Sequence, residues 1–382
     1  MATILPPVLS TQANAQHRNV FLWSTHDAHI CMSWRVDEFN EITITTMYRW
    51  FDAVKKDSSY ERFYGAELES IYPVDVKRDD APLSYIVRQK GPRLLRNSKA
   101  VLMAGHYGLY EPGREIPSVL RLLLDMEASF AMYGVELGQS DPPLAAFTTL
   151  SSTLSHAALL RDQQCMLTGI PPAASDPLQV TWIVPPQMCY LLAEDRHERN
   201  QLDRGIAEEE KKYQICQLAM VLENCLTMTK DVAVLFKQNK VGIDVDDNYK
   251  IICFDMRDGD TMCLKTHFKP PFAQSGLIEK LLRAHFVRCL TTNTCDGDVR
   301  DDFPEEATKD FLDRVEFYEI ADELDLNELQ MKVFRKEWDT GLGKVIQQWV
   351  RERGEFEEKD GVIWNDIRTG EDERLTGSKL YA

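Results

Sequence analysis

An α+β fold, mainly helical around a small strand-rich centre, is what this chain predicts, and three observations carry it. Apolar residues recur at helical spacing in several stretches, among them Met47, Phe51 and Val54, then Phe147, Leu150, Leu154 and Leu159. Between Val241 and Phe254 the spacing changes to strand-like alternation on either side of Asp246-Asp247-Asn248, the signature of a β-meander with a tight turn. At 382 residues, with 44% hydrophobic and 27% charged, the chain is long enough to bury a large core and ordinary enough to be globular.

Taken in order, the first fifteen or so residues are polar and Pro-containing and read as a loose tail. Asn19 to Trp23 and Ile42 to Thr46 are rich in β-branched and aromatic residues and predict strands, with the Met47–Phe51–Val54 helix after them. Pro117 can open a helix whose buried stripe is Val119, Leu120, Leu123 and Leu124. A further helix is expected from Ala145 to Arg161, with His156 inside it as a packed or surface histidine. Leu178 to Val184 predicts a strand, closed by Pro185 and Pro186. A helix from about Ile206 to Leu222 follows, with Glu208, Glu209, Glu210 and Lys211 outward and Tyr213, Leu218, Ala219 and Leu222 inward. Thr229 can cap a helix bearing Val232, Leu235 and Phe236. The meander runs Val241–Val245, Tyr249–Phe254 and Met262–Thr266. These elements suggest three regions: an N-terminal α/β region over 1–144, a central domain over 145–295, and an acidic helical extension over 296–382. Phe311, Val315, Tyr318, Leu326, Leu329 and Val333 keep helical period in the extension, with Ile346 and Val350 continuing it, and the last twenty residues are expected to be poorly ordered.

Charge and cysteine usage narrow the function classes. A net charge of -17 argues against a general nucleic-acid binder and leaves room only for a local basic face. The most basic stretch, Arg88, Lys90, Arg93, Arg96 and Lys99, reads as a solvated surface, and as a phosphate-contacting patch only if it faces the central domain. The 9 cysteines form no C-x-x-C pair, which fits a reducing compartment and thiols that act as small apolar groups. No signal-peptide pattern and no apolar run long enough to span a bilayer is present, so an intracellular protein, cytoplasmic or nuclear, without a membrane partner is expected.

The informative part of the chain is 161–254. It opens with Arg161-Asp162-Gln163-Gln164-Cys165-Met166-Leu167-Thr168-Gly169 and continues through Thr181-Trp182-Ile183-Val184-Pro185. Asn224-Cys225-Leu226-Thr227-Met228 comes next, and then Asp231-Val232-Ala233-Val234-Leu235-Phe236. The strand pair around Gly242-Ile243-Asp244 and Tyr249-Lys250-Ile251 closes the segment. In this order of pieces the segment resembles the HNH endonuclease family, with the closest likeness to the HNH-domain proteins numerous in fungi. The likeness covers roughly a quarter of the chain and rests on the framework residues Cys165, Thr168, Gly169, Pro185 and Phe236.

The resemblance implies a central ββα core and a catalytic set of three positions. One histidine deprotonates water, an asparagine aligns it, and a last histidine holds a divalent metal at the scissile phosphate. Here those positions are Trp182, Asn224 and Ala233. An indole has no basic nitrogen and an alanine offers no ligand atom, so only the asparagine remains. Trp182 is then expected to pack in the core with its N–H on a nearby carbonyl, and Asn224 to satisfy loop backbone. Asp244, Asp246 and Asp247, with His267 after the third meander strand, are the weak alternative metal ligands, and His197 is a further candidate. No cofactor is expected beyond a divalent metal in an active form.

Three functions are compatible with this reading. The favoured one is an HNH-like module whose chemistry is lost and whose scaffold is kept for binding or regulation. The alternatives are an active metal-dependent DNA endonuclease with relocated ligands, and an acidic interaction module docking a basic protein partner.

Overall fold

A computed structural model describes residues 6–25, 28–37, 41–57, 69–79, 83–110, 147, 149–174, 176–189, 208–254, 264–271, 276–295, 297–303, 308 and 340–352. The α+β class holds. The expected helix at Pro117, the acidic helices at Phe311–Tyr318 and Leu326–Val333, the last twenty residues and His197 lie outside the described residues.

The N-terminal half begins with a short helix α1 (Thr11–Ala15) and is organised by a five-stranded mixed sheet. Its strands are β1 (Val20–Ser24), β2 (His29–Trp34), β3 (Ser70–Arg78), β4 (Tyr85–Gln89) and β5 (Gly105–Tyr110), in the order β2-β1-β5-β3-β4. β1 and β5 run parallel and the other pairs antiparallel. Both faces of the sheet are covered. Val20 and Leu22 of β1 pack with helix α2 (Ile44–Asp57), while Phe21 and Trp23 face Leu342, Ile346 and Trp349. That two-sided burial explains why β1 reads as a continuous apolar run rather than an alternating one. Gly108 in β5 has no room for a side chain, because a Cβ there would lie 2.7 Å from Thr25 and Val74.

Several expectations change here. Ile42–Thr46 is not a strand: Thr43 makes one bridge to Val101, and α2 starts at Ile44. β-branched residues misled the reading, because the first turn of α2 is buried and tertiary packing overrides propensity. Residues 6–15 are not a loose tail. Ser10 caps α1, the Ser10 N–H donates to the Gly297 carbonyl (2.9 Å), and Thr11 bonds the Asp302 carboxylate through its N–H and hydroxyl.

The central segment supplies α3 (Ser152–Asp162), β6 (Gln179–Trp182), α4 (Glu208–Leu218), β7 (Cys225–Met228), α5 (Lys230–Lys237), β8 (Val241–Asp244) and β9 (Lys250–Cys253). α3 begins at Ser152 rather than Ala145, because the Ser151 hydroxyl accepts from the Leu154 N–H as its N-cap. α4 buries Cys216 and Ala219, whereas Tyr213 and Leu218 are exposed, so its inward face is rotated from the expected one. Thr229 occupies the N-cap of α5 without a capping bond, its hydroxyl turning to the Cys165 sulfur instead. The third meander strand begins outside the described residues; in its described part the Thr266 carbonyl accepts the Ile251 N–H (3.0 Å) and His267 bridges Lys250.

A helix with no counterpart in the sequence reading, α6 (Gly276–Thr294), holds the two halves together. Its Phe286 and Leu290 belong to the core beneath α2, and its Ile278, Leu281 and Leu282 to the core around α5 and β8. A helix buried on two sides carries no single apolar stripe, which is why periodicity misses it. The last helix, α7 (Gly341–Glu352), inserts Leu342, Ile346 and Trp349 into the outer face of the sheet, so this stretch of the acidic extension is a layer of the N-terminal core.

Candidate functional site

The site the sequence points to is built on the antiparallel pair β6–β7, with Trp182 opposite Cys225 and Thr181 opposite Leu226, followed directly by α5. Strand alternation divides these residues between two faces. Trp182 and Cys225 pack against Ala158 and Leu154 of α3. Leu226, Met228 and Ile183 pack with Val232, Ala233 and Phe236 of α5. Trp182 and Ala233 therefore lie in different apolar clusters, and the strand position turned toward α5 opposite Leu226 is Thr181.

Asn224 is fully buried and spends its whole amide on backbone. Its Oδ1 accepts from the Val184 N–H (3.0 Å), and its Nδ2 donates to the carbonyls of Val184 (2.8 Å) and Ala219 (3.0 Å). Its own carbonyl accepts from the Ile183 N–H (2.8 Å). The side chain thus extends the β6–β7 pairing past the last strand residue and ties it to the end of α4. The indole N–H of Trp182 is buried with no partner among the described residues, which corrects the expectation of a nearby carbonyl.

The opening motif is a latch on β7. Asp162, its side chain inaccessible, accepts the Thr227 N–H (3.1 Å) and both arms of Arg161 (2.5 and 2.8 Å). Arg161 goes on to donate to the carbonyls of Leu222 (2.8 Å) and Cys225 (2.7 Å). Cys165 to Ile170 closes a tight loop, with Gly169 N–H on the Cys165 carbonyl (2.7 Å). Gly169 has φ +79, which favours glycine; a Cβ there would lie 2.6 Å from Lys265 Cε, a contact the flexible lysine can relieve by moving. Burial raises the Cys165 thiol, but the Thr168 hydroxyl and the N–H groups of Thr229, Thr168 and Leu167 outweigh it and bring it below its ordinary range. Pro185 leads into a short 3₁₀ turn (Pro186–Met188), and Phe236 stacks face to face on His285 at 3.8 Å. The sequence placed Arg161 and Asp162 in the motif but gave no sign that they pin β7.

The acidic candidates are held by cations. Asp244 is buried and accepts from Arg49 Nη2 (2.5 Å) and Trp50 Nε1 (2.9 Å), both on α2. Burial pushes its carboxyl up against the opposing pull of Trp50 and Arg49. Asp246 receives Arg283 through Nε and Nη2 (3.1 and 3.0 Å), and Asp247 lies 3.9 Å from Arg49. His267 is exposed and its Nδ1 is 3.1 Å from Thr266 Oγ1. Among the described residues, no three His, Cys, Asp or Glu side chains group as a metal site would need. Arg49, distant in sequence from the acidic turn, is the partner that sequence reasoning had no signal to find.

The expected basic patch sits at the far edge of the sheet and in the loop after it. Lys90 pairs with Asp75 (2.7 Å), and Arg96 grips Asp52 (2.6 Å) while lying over the Tyr48 ring. Arg88, Arg93 and Lys99 are exposed, with no carboxylate partner among the described residues.

One buried pair has the makings of a nucleophile and its base. Cys289 Sγ lies 3.5 Å from His285 Nδ1, and His285 Nε2 is 3.1 Å from the Phe236 carbonyl. Burial pushes His285 down to about 4 and holds the Cys289 thiol well above its ordinary value. At neutral pH both are uncharged and closed off, the reverse of the exposed thiolate a nucleophile needs. His156 is exposed on α3.

Compared with protein-family models, with curated proteins and with solved structures, the chain matches none.

Proposed function

We propose that the central segment is an HNH-like nuclease module that has lost its chemistry and serves as a scaffold for binding or regulation. One observation carries this reading: the Asn224 amide, the surviving catalytic letter, is consumed by backbone groups of residues 184 and 219. Trp182 and Ala233 add to it, each buried in a separate apolar cluster with neither a basic nitrogen nor a ligand atom to offer. The β6–β7–α5 succession is the strand–strand–helix order that the resemblance implies. Asp244, Asp246 and Asp247 would have to leave Arg49, Trp50 and Arg283 before binding a cation, which weighs against relocated ligands.

The partner of such a module is an intracellular macromolecule. Nucleic acid would meet the exposed cations Arg88, Arg93 and Lys99, and a basic protein would meet the acidic surface of a chain with net charge -17. The test is supercoiled-plasmid nicking by the purified full chain with Mg²⁺, Mn²⁺ or Zn²⁺. The reading expects no nicking above a metal-only control. Metal-dependent cleavage that co-purifies with the protein overturns it.

A further inference from the structure

Among the described residues nine large apolar side chains are exposed, and three of them fall within nine positions of the loop after β4: Leu95 (63%), Val101 (45%) and Met103 (70%). Their exposure is imposed by the fold. The Leu94 N–H donates to the Ile71 carbonyl (2.8 Å), Ser98 N–H to Leu95 (2.9 Å), and Leu102 N–H to Ile42 (2.7 Å). Ile44 and Thr45, at the start of α2, reach the carbonyls of Ala100 and Ser98. Leu94 and Leu102 consequently point into the α2 core, and their neighbours Leu95, Val101 and Met103 point out. A turn at 95–98 and an extended run after it make a lip that exposes these three apolar side chains alongside Asn97 and Lys99.

The same loop, with Arg88 of β4 just before it, is the most basic stretch of an acidic chain; Arg88, Arg93 and Lys99 are exposed with no carboxylate partner among the described residues, Arg93 being bonded to Tyr48. Apolar tips among cations that no described carboxylate neutralises match one kind of surface: an anionic lipid headgroup layer, where leucine and methionine enter the acyl boundary and the cations meet phosphate or carboxylate. A nucleic-acid backbone would use the cations and leave the three apolar tips in water. The overall charge of -17 does not forbid this docking, since acidic groups beyond about 8 Å are largely screened at physiological ionic strength. Peripheral docking needs no membrane-spanning helix, and no helix among the described residues is long and apolar enough to be one.

We propose that the Arg88–Met103 lip is a peripheral docking surface for anionic lipid. The proposal stands on a surface separate from β6–β7–α5 and does not depend on the nuclease-like reading. The test is co-sedimentation of the full chain with vesicles of phosphatidylcholine alone and of phosphatidylcholine with 30% phosphatidylserine, at physiological salt. Binding to the anionic vesicles and not to the neutral ones is expected. Leu95→Asp with Met103→Asp should abolish it, and each of Arg93→Glu and Lys99→Glu should weaken it by about fivefold or more. All four positions are exposed or half-exposed loop sites, and circular dichroism checks that the variants fold. No sedimentation with anionic vesicles, or binding unchanged in Leu95→Asp/Met103→Asp, overturns the proposal. Retention of a DNA oligonucleotide that responds to Arg93→Glu but not to Leu95→Asp, with no vesicle binding, also overturns it and assigns the cations to nucleic acid.

Discussion

The five-stranded sheet and the β6–β7 pair, a hairpin-like unit whose strands are joined through α4, are stabilised in different ways. The sheet joins five strands by long-range pairing and is covered on both faces, by α2 on one side and α7 on the other. Its interior is mostly interlocked apolar side chains, and many contacts share the load. The hairpin has two four-residue strands and relies on two buried polar devices, the Asn224 amide and the Arg161–Asp162 pair, to hold its open ends. A small sheet needs such devices because two strands alone are marginal in water. The difference teaches that residues in a motif-like stretch can be indispensable without taking part in any reaction.

That contrast can be broken most sharply at Asn224. Asn224→Leu leaves the Val184 N–H and the Ala219 carbonyl buried without partners and the Val184 carbonyl with only the distant Cys189 thiol (4.0 Å), at about 1–3 kcal/mol each, so a total loss of roughly 3–9 kcal/mol is expected in denaturant unfolding. A loss below about 1 kcal/mol would show that the amide is not the hairpin's anchor. Next in size is Asp162→Ala, which strands a largely buried Arg161 and frees the Thr227 N–H, for a cost of about 3–5 kcal/mol. In the sheet, loss of a single methyl in Ile71→Val should cost only about 0.5–1.5 kcal/mol.

The two halves also differ in how acid acts on them. His285, in the core shared with α5, is held neutral: the unfolded chain takes a proton near 6.5 and the fold resists to about 4. Its contribution is therefore present above pH 6.5 and lost as pH falls through 4, about 3 kcal/mol in all. His29 in β2 behaves in the opposite sense. Burial lowers it, but the Asp301 hydrogen bond and the Asp298 and Asp301 charges outweigh burial and raise it. Its contribution is complete below its ordinary value and disappears as pH rises through the folded one. Unfolding curves from pH 4 to 7.5 should flatten at the acid end in His285→Gln and at the neutral end in His29→Gln. An unchanged acid slope in His285→Gln would remove the buried-neutral assignment.

The smallest effect is expected at the surface of the acidic turn. Arg283 is 44% exposed, and its pairing with Asp246 should be worth no more than about 1 kcal/mol, which Arg283→Ala measures by thermal unfolding. A loss several times larger would mean that the turn at Asp246 acts as part of the buried clamp at Asp244.

What the sequence made legible follows from where its periodicity is simple. α5, β8 and β9 each present one simple pattern, the Met47–Phe51–Val54 face marks α2, and β1, though buried on both faces, is short and apolar throughout, so their positions were readable. α6 was not, because Ile278, Leu282, Phe286 and Leu290 face two cores and His285, Arg288 and Asn293 are buried beside them. β3 hides behind Pro73, and β5 behind Gly105 and Gly108, residues that argue against strands unless a close approach requires them. At the candidate site the motif letters gave the order of elements and the identity of Asn224. They gave no orientation: Trp182 packs toward α3, away from the helix carrying Ala233. The clamp on Asp244 depends on Arg49 and Trp50, nearly two hundred positions away, a pairing that only tertiary structure creates.

The most direct test of a scaffold without chemistry is a titration of the isotope-labelled full chain with Mg²⁺, Mn²⁺ and Zn²⁺, followed by amide NMR signals of residues 181–184, 224–228 and 230–237. The account predicts that these signals stay in place while any weak shifts fall on exposed carboxylates elsewhere. Saturable, site-specific shifts around Thr181, Asn224 and Ala233 would contradict it.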